Sequence, residues 1–126
     1  MSLYLRDEIN QKSAEFWDYL DRLVADNAVI IERPKGSSHP HYPEMIYPVD
    51  YGYLDGTTTV DEGGIDVWSG SLKPPILNAI ICTVDLKKRD AELKILLGCN
   101  DDETEAIMEF LNDHTMRGIL IQKPHS

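Results

Sequence analysis

The feature that most restricts this chain is its punctuation between residues 28 and 99. Short runs rich in β-branched and aromatic residues alternate there with Gly, Pro and Asp turn signals. Residues 28–33 read as a strand stopped by Pro34. Residues 46–54, 57–60 and 65–68 read as further strand pieces, separated by Asp55-Gly56 and by Asp61-Glu62-Gly63-Gly64. After Pro74-Pro75, residues 77–86 and 92–99 read as the arms of a β-hairpin around a charged turn at 87–91. Residues 118–122 read as a last short strand. The stretch 34–43 carries three prolines, a glycine and two serines, the composition of a surface loop.

Two segments read as helices. Phe16, Tyr19, Leu20, Leu23 and Val24 recur at helical spacing and predict one apolar stripe. Ser13 is its candidate N-cap, with an earlier start near Asp7 as the alternative. The second helix starts at Asn100. Glu103 stands in capping-box position, and Asp101, Asp102 and Glu103 make an acidic first turn. Ile107, Phe110 and Leu111 are its expected buried stripe. The order helix, short strands, helix, strand defines a mainly β, α+β chain: a small barrel or sandwich with flanking helices.

At 126 residues, the chain fits one domain spanning 1–126. Its 42% apolar content is enough for a core, and no apolar run is long enough to span a bilayer. No secretory signal is visible, so a cytoplasmic protein with no membrane partner is expected. Cys82 and Cys99 lie in apolar strand-like segments and read as buried free thiols. The formal net charge of −10, with scattered lysines and arginines, argues against nucleic acid as a partner.

The chemistry concentrates between Tyr47 and Asp66. Asp61 and Asp66 flank Gly63-Gly64 at the entry to a strand. Glycines let such a loop fold tightly, and converging carboxylates suit a hard cation such as Mg²⁺. A polar hairpin turn would look the same. Tyr47, Tyr53 and Trp68 read as core. In the loop at 34–43, Lys35 and the Gly36-Ser37-Ser38 run offer an ammonium, N–H groups and hydroxyls to an anion. His39 and His41 read as loop residues or as phosphate or soft-metal ligands.

Tyr47-Pro48, Tyr51-Gly52-Tyr53 and the acidic loop that follows resemble the soluble family I inorganic pyrophosphatases. The family's Asp-x-Asp-Pro-x-Asp signature starts ten positions after its second tyrosine, which is the spacing from Tyr51 to Asp61, and Asp66 falls on its last aspartate. The segment 29–34 is similar to a family strand that carries a glutamate near the metals. The segment 86–94 is similar to the hairpin that brings further carboxylates and a phosphate-binding lysine. The likeness spans about residues 28–98.

The resemblance implies an OB-like β-barrel, a homo-oligomer and Mg²⁺- or Mn²⁺-dependent hydrolysis of diphosphate. Asp61, Asp66, Asp90, Glu32 and Glu92 are the implied metal ligands. Lys94, Tyr51 and Lys35 are the candidate phosphate contacts, and Asp61, Asp66 and Tyr51 are the implied catalytic residues. Asp85 is an alternative metal ligand. In such chemistry water attacks a highly charged phosphorus, and metal ions neutralise the phosphates and acidify the water. The chain departs from the family at Gly63 and Gly64, where the middle aspartate and the proline belong. It also departs at Asn112-Asp113, where a tyrosine–lysine pair belongs. Glu62 and Asp50, nearby in sequence, are candidate substitutes for the missing carboxylate. The alternative expectation is a weakened or inactive homologue that binds metal or phosphate.

Overall fold

The computed structural model describes residues 3–61 and 63–124, with side chains described from residue 5 onward. Two helices, α1 (Leu3–Asp26) and α2 (Asp101–Leu111), flank six strands. The strands are β1 (Val29–Arg33), β2 (Asp50–Leu54), β3 (Asp66–Ser69), β4 (Leu77–Asp85), β5 (Asp90–Leu97) and β6 (Met116–Gln122). They form one mixed sheet in the order β1-β2-β3-β5-β4-β6, with β3 and β5 parallel and the other pairs antiparallel. This is an α+β fold.

Alternation along the strands divides the core in two. One face of the sheet carries Leu54, Val67, Ile80, Ile95 and Leu97, covered by Trp17 and Leu20 of α1. The opposite face carries Trp68, Ala79, Ile81 and Leu96, covered by Ile107 and Leu111 of α2 and by Tyr47 and Val49 of the preceding loop. Lys123 Nζ reaches Asp21 Oδ2 at 2.8 Å and ties α1 to the end of β6. Among the described residues no helix is long and apolar enough to cross a membrane.

The expected barrel is not closed. β1 and β6 are the outer strands of the sheet and do not pair with each other. Each face has its own cover, α1 on one side and α2 with the 34–49 loop on the other, so the sheet does not need to roll onto itself to bury its apolar rows.

Several local expectations are also corrected. Helix α1 begins at Leu3, with Ser13 in its interior. Residues 3–12 are mostly good helix formers without Gly or Pro, and nothing there stops propagation. Its inward residues are Trp17 and Leu20, whereas Phe16, Tyr19 and Leu23 remain 42%, 59% and 40% exposed. Trp17 offers the largest apolar surface on the helix, and its burial sets the rotation.

The segment before β2 pairs with the 34–43 loop instead of lengthening the strand. Tyr47 N donates to Ser37 O, Gly36 N to Tyr47 O, and His39 N to Met45 O, at 2.8–2.9 Å. Residues 57–60 form no strand. Thr57 Oγ1 donates to Leu54 O at 2.7 Å and accepts from Ile65 N at 2.9 Å, taking the places of strand partners. The β4–β5 turn is tighter than expected and lies at 86–89, with Arg89 at φ 57°. Both cysteines are free; Cys99 is buried and Cys82 half-buried. Burial pushes the Cys99 thiol up to about 12.

Candidate functional site

The site lies on the α2 face of the sheet. Asp90, Glu92 and Lys94 alternate onto that face along β5, and Asp66 lies beside Lys94 because Val67 pairs with Ile95. On β1 the register slips between Ile31, opposite Gly52, and Arg33, opposite Tyr51. This bulge puts two residues where one would stand, so that both Glu32 and Arg33 reach the cavity described below.

Lys94 is the centre of the polar network. Its ammonium donates to Asp66 Oδ2 at 2.7 Å and to Glu92 Oε2 at 2.9 Å. Burial alone would lower its pKa, but the charges of Asp66 and Glu92 outweigh burial and hold it above the ordinary lysine value. The Tyr51 phenol is pushed far up by burial, and next by the negative charge of the nearby Asp66 carboxylate. Tyr51 is therefore a neutral hydrogen-bond donor at any ordinary pH. Tyr47 is likewise raised by burial, although Arg33 Nη1 donates to its hydroxyl at 3.4 Å.

The acidic loop is closed by Asp61. Its Oδ1 accepts from Thr59 Oγ1 and, at 3.1 Å, from Gly63 N. The Thr59 bond, then the Gly63 bond, holds its carboxyl below the usual carboxylate range. Glu62 lies outside the described residues. A Cβ placed on Gly63 would lie 3.3 Å from Asp61 Oδ1, so a side chain there requires the Asp61 carboxylate to shift by a few tenths of an ångström. A Cβ on Gly64 would lie 2.6 Å from Leu54 O and from the Tyr53 ring. Glycine at 64 is thus a packing requirement, and the family's proline would not fit this loop.

Two cavities meet at these residues. The larger, about 730 Å³, has Glu32, Asp61, Asp66, Glu92 and Lys94 on one part of its wall, with Lys87 and Lys88 contributed by the β4–β5 turn. The smaller, about 390 Å³, shares Glu32, Asp61, Asp66 and Glu92 and adds Asp55 and Tyr53. The larger cavity also carries aromatic rings, those of His39, Tyr42, Tyr47, Phe110 and His114, with Trp68 beneath, and the carboxylates of Asp85 and Asp113. Tyr42 stacks on His114 with ring centres 3.9 Å apart, which joins the 34–49 loop to the α2–β6 connection. His39 lies parallel to Tyr47 at 6.2 Å. Its Nδ1 accepts from the backbone N–H groups of His41 and Tyr42 at 3.0 and 3.2 Å, so its proton sits on Nε2. Burial, followed by the Arg33 charge, lowers its pKa.

The structure therefore brings Glu32, Asp61, Asp66, Glu92, Lys94 and Tyr51 to one cavity. Asp90 and Lys35 do not line it. Asp90 pairs with Asp85 at the far end of the hairpin, and the Lys35 backbone N–H is bound to Asp50 Oδ1 at 2.8 Å. Asp85 does line the cavity, but its Oδ1 accepts from Thr115 Oγ1 and Lys87 N at 2.8 and 2.9 Å, as a turn-fixing group. Tyr47 and Trp68 are core and cavity wall at once, and Tyr53 is only half-buried. Arg33, Tyr42, Phe110 and His114 complete the wall without any sequence signal except their aromatic or basic character. No protein-family model and no curated protein matches this chain.

Glu32, Asp61, Asp66 and Glu92 offer carboxylate oxygens, the ligand type that Mg²⁺ prefers. Among the described residues, no three His, Cys, Asp or Glu side chains are grouped so as to hold a metal ion in this arrangement. Asp66 and Glu92 are engaged by the Lys94 ammonium, which supplies the positive charge between them.

Proposed function

We propose that this protein is a divalent-cation-dependent phosphoanhydride hydrolase of the inorganic pyrophosphatase type, acting on diphosphate or a compound containing it. One observation carries the reading. Glu32, Asp61, Asp66, Glu92, Lys94 and Tyr51 come from five separate segments and converge on one cavity. The motif resemblance had named all six. The open α+β sheet would then be a reduced relative of the family's barrel, and a cytoplasmic homo-oligomer is the matching expectation.

Glu32, Asp61, Asp66 and Glu92 would hold Mg²⁺ or Mn²⁺, which neutralises phosphate charge and makes bound water more acidic. The chain's own contribution is positional. Lys87, Lys88 and Arg33 put cations on the cavity wall, where phosphate oxygens need them. Tyr51, held protonated beside Asp66, offers a hydrogen-bond donor to the cavity and does not act as a base.

A second reading has its own support: a binding module without turnover. Gly63 stands where the resemblance expects an aspartate, and Lys94 already neutralises Asp66 and Glu92. Phosphate release from pyrophosphate, measured with Mg²⁺ and with Mn²⁺ from neutral to alkaline pH, separates the two. We expect weak release above a metal-only blank. Gly63→Asp should raise it about tenfold or more, by restoring a carboxylate beside Asp61, whose side chain shifts by a few tenths of an ångström to admit it. Release that survives Asp61→Ala and Asp66→Ala together would remove this site from consideration. No release at any pH, from the native protein or from Gly63→Asp, would leave the binding module.

A further inference from the structure

The larger cavity is much bigger than a bare diphosphate requires. At about 730 Å³ it falls within the range of sites that bury organic ligands, roughly 300–1,000 Å³. Its two parts also differ in chemistry. Glu32, Asp61, Asp66 and Glu92 line both cavities and so mark their border, with the Lys94 ammonium bonded to two of them, whereas Asp85 and Asp113 line the larger cavity only. His39, Tyr42, Phe110 and His114 line the larger cavity only.

Hydrogen bonding settles how the imidazole beside Tyr47 behaves. His39 Nδ1 already accepts two backbone N–H groups, at 3.0 and 3.2 Å. A second proton on the ring would have to displace both. His39 is thus a flat neutral surface with one Nε2–H donor and not a cation for phosphate. The Tyr42–His114 stack adds a second flat surface on loop residues outside the buried core. Flat rings beside a wall that carries Arg33, Lys87 and Lys88, and carboxylates that would hold a divalent cation, match a ligand that is itself planar at one end and anionic at the other.

We infer that the ligand of this cavity is a phosphoanhydride carrying an aromatic group, the simplest case being a nucleoside diphosphate. The phosphates would lie toward Lys94 and the acidic residues, and the base toward His39, Tyr42 and His114. The inference rests on the phosphoanhydride reading and adds the organic half of the substrate.

A matched pair of non-hydrolysable probes tests it. Methylenediphosphonate carries the phosphorus end alone; adenosine 5′-(α,β-methylene)diphosphate carries the same end with a nucleoside. Both are titrated calorimetrically into the full chain with Mg²⁺. The nucleoside probe should bind about tenfold tighter, the usual contribution of one aromatic–base stack. Tyr42→Ala combined with His114→Ala should erase that advantage and leave methylenediphosphonate affinity within about twofold. Tyr42→Phe, which keeps a ring, should retain it. Equal binding of the two probes overturns the inference and leaves the phosphoanhydride reading standing. Binding of neither overturns both. An advantage that persists in the double variant and survives the addition of His39→Ala also overturns the inference, because the base then lies elsewhere.

Discussion

A buried ammonium is costly to desolvate, and Lys94 offsets that cost only through Asp66 and Glu92, which keep 24% and 26% of their side-chain surface exposed. Replacing Lys94 by Met would leave two neighbouring carboxylates without their counter-charge. We expect a loss of about 3 kcal/mol, the low end for breaking a buried pair because both partners still reach water. Urea unfolding measures it. A double-mutant cycle with Asp66→Asn should return a coupling of about 1 kcal/mol or more, and a coupling near zero would mean that the pair does not form. The sign of the pH dependence is also fixed. A lysine raised above its ordinary 10.5 contributes stability that is fully present below that value and is lost only as pH rises through the higher folded value. The Lys94→Met deficit should therefore be constant between pH 6 and pH 9, about the range where histidines and not lysines titrate. This residue was legible through the resemblance of segment 86–94 to the family's hairpin, and strand alternation then puts it on one face with Glu92. Arg33 was not, since alternation assigns it to the opposite face from Glu32 and only the bulge brings both inward.

Capping shows how a local rule can also tie elements together. Asn100 Oδ1 accepts from Glu103 N at 2.8 Å, and Glu103 Oε1 accepts from Asn100 N at 2.9 Å, the reciprocal pair expected from the sequence. Sequence gave no sign that Glu103 also accepts from Ser71 N, at 3.0 Å to Oε2. That bond links the segment after β3 to α2, the helix that roofs the site face. Burial raises the Glu103 pKa, but the bonds from Asn100 and Ser71 outweigh it and leave the group below its ordinary 4.5. A depressed carboxyl contributes stability above its unfolded pKa and loses it as pH falls through the folded value. Glu103→Gln should cost stability at pH 7, and the gap to the native protein should narrow as pH drops from about 5 toward 3. Asn100→Ala should cost about 1 kcal/mol by urea titration. A Glu103→Gln gap that stays constant down to pH 3 would mean the carboxylate's charge plays no part. The contrast with residues 57–60 is instructive. Three consecutive threonines carry a strong β signal, but Thr57 spends its hydroxyl on Leu54 O and Thr59 on Asp61 Oδ1, and the segment becomes the loop that holds Asp61.

The whole molecule is a sheet with two separate cores, and this organisation was the part least legible in the sequence. Short strands between Gly and Pro turns suit a barrel and an open sheet alike. What decides between them is whether a helix or loop covers each face, a property of packing between segments far apart in the chain. The two tryptophans mark the two cores: Trp17 in the core under α1 and Trp68 in the core under α2 and the 34–49 loop. Neighbouring β4 residues divide the same way, Ile80 with Trp17 and Ile81 with Trp68. Both are buried, 3% and 0% exposed, so Ile80→Val and Ile81→Val should each cost about 1 kcal/mol. Their local consequences should differ. Ile81→Val loosens the packing beneath the aromatic wall and should shift the Trp68 indole N–H resonance and weaken binding of diphosphate probes. Ile80→Val should shift the Trp17 resonance and leave the probes unaffected. Equal effects of the two substitutions on both indoles would mean that the faces respond as one core. In that case a change beneath α1 would reach the site, and the two-core organisation would not insulate it.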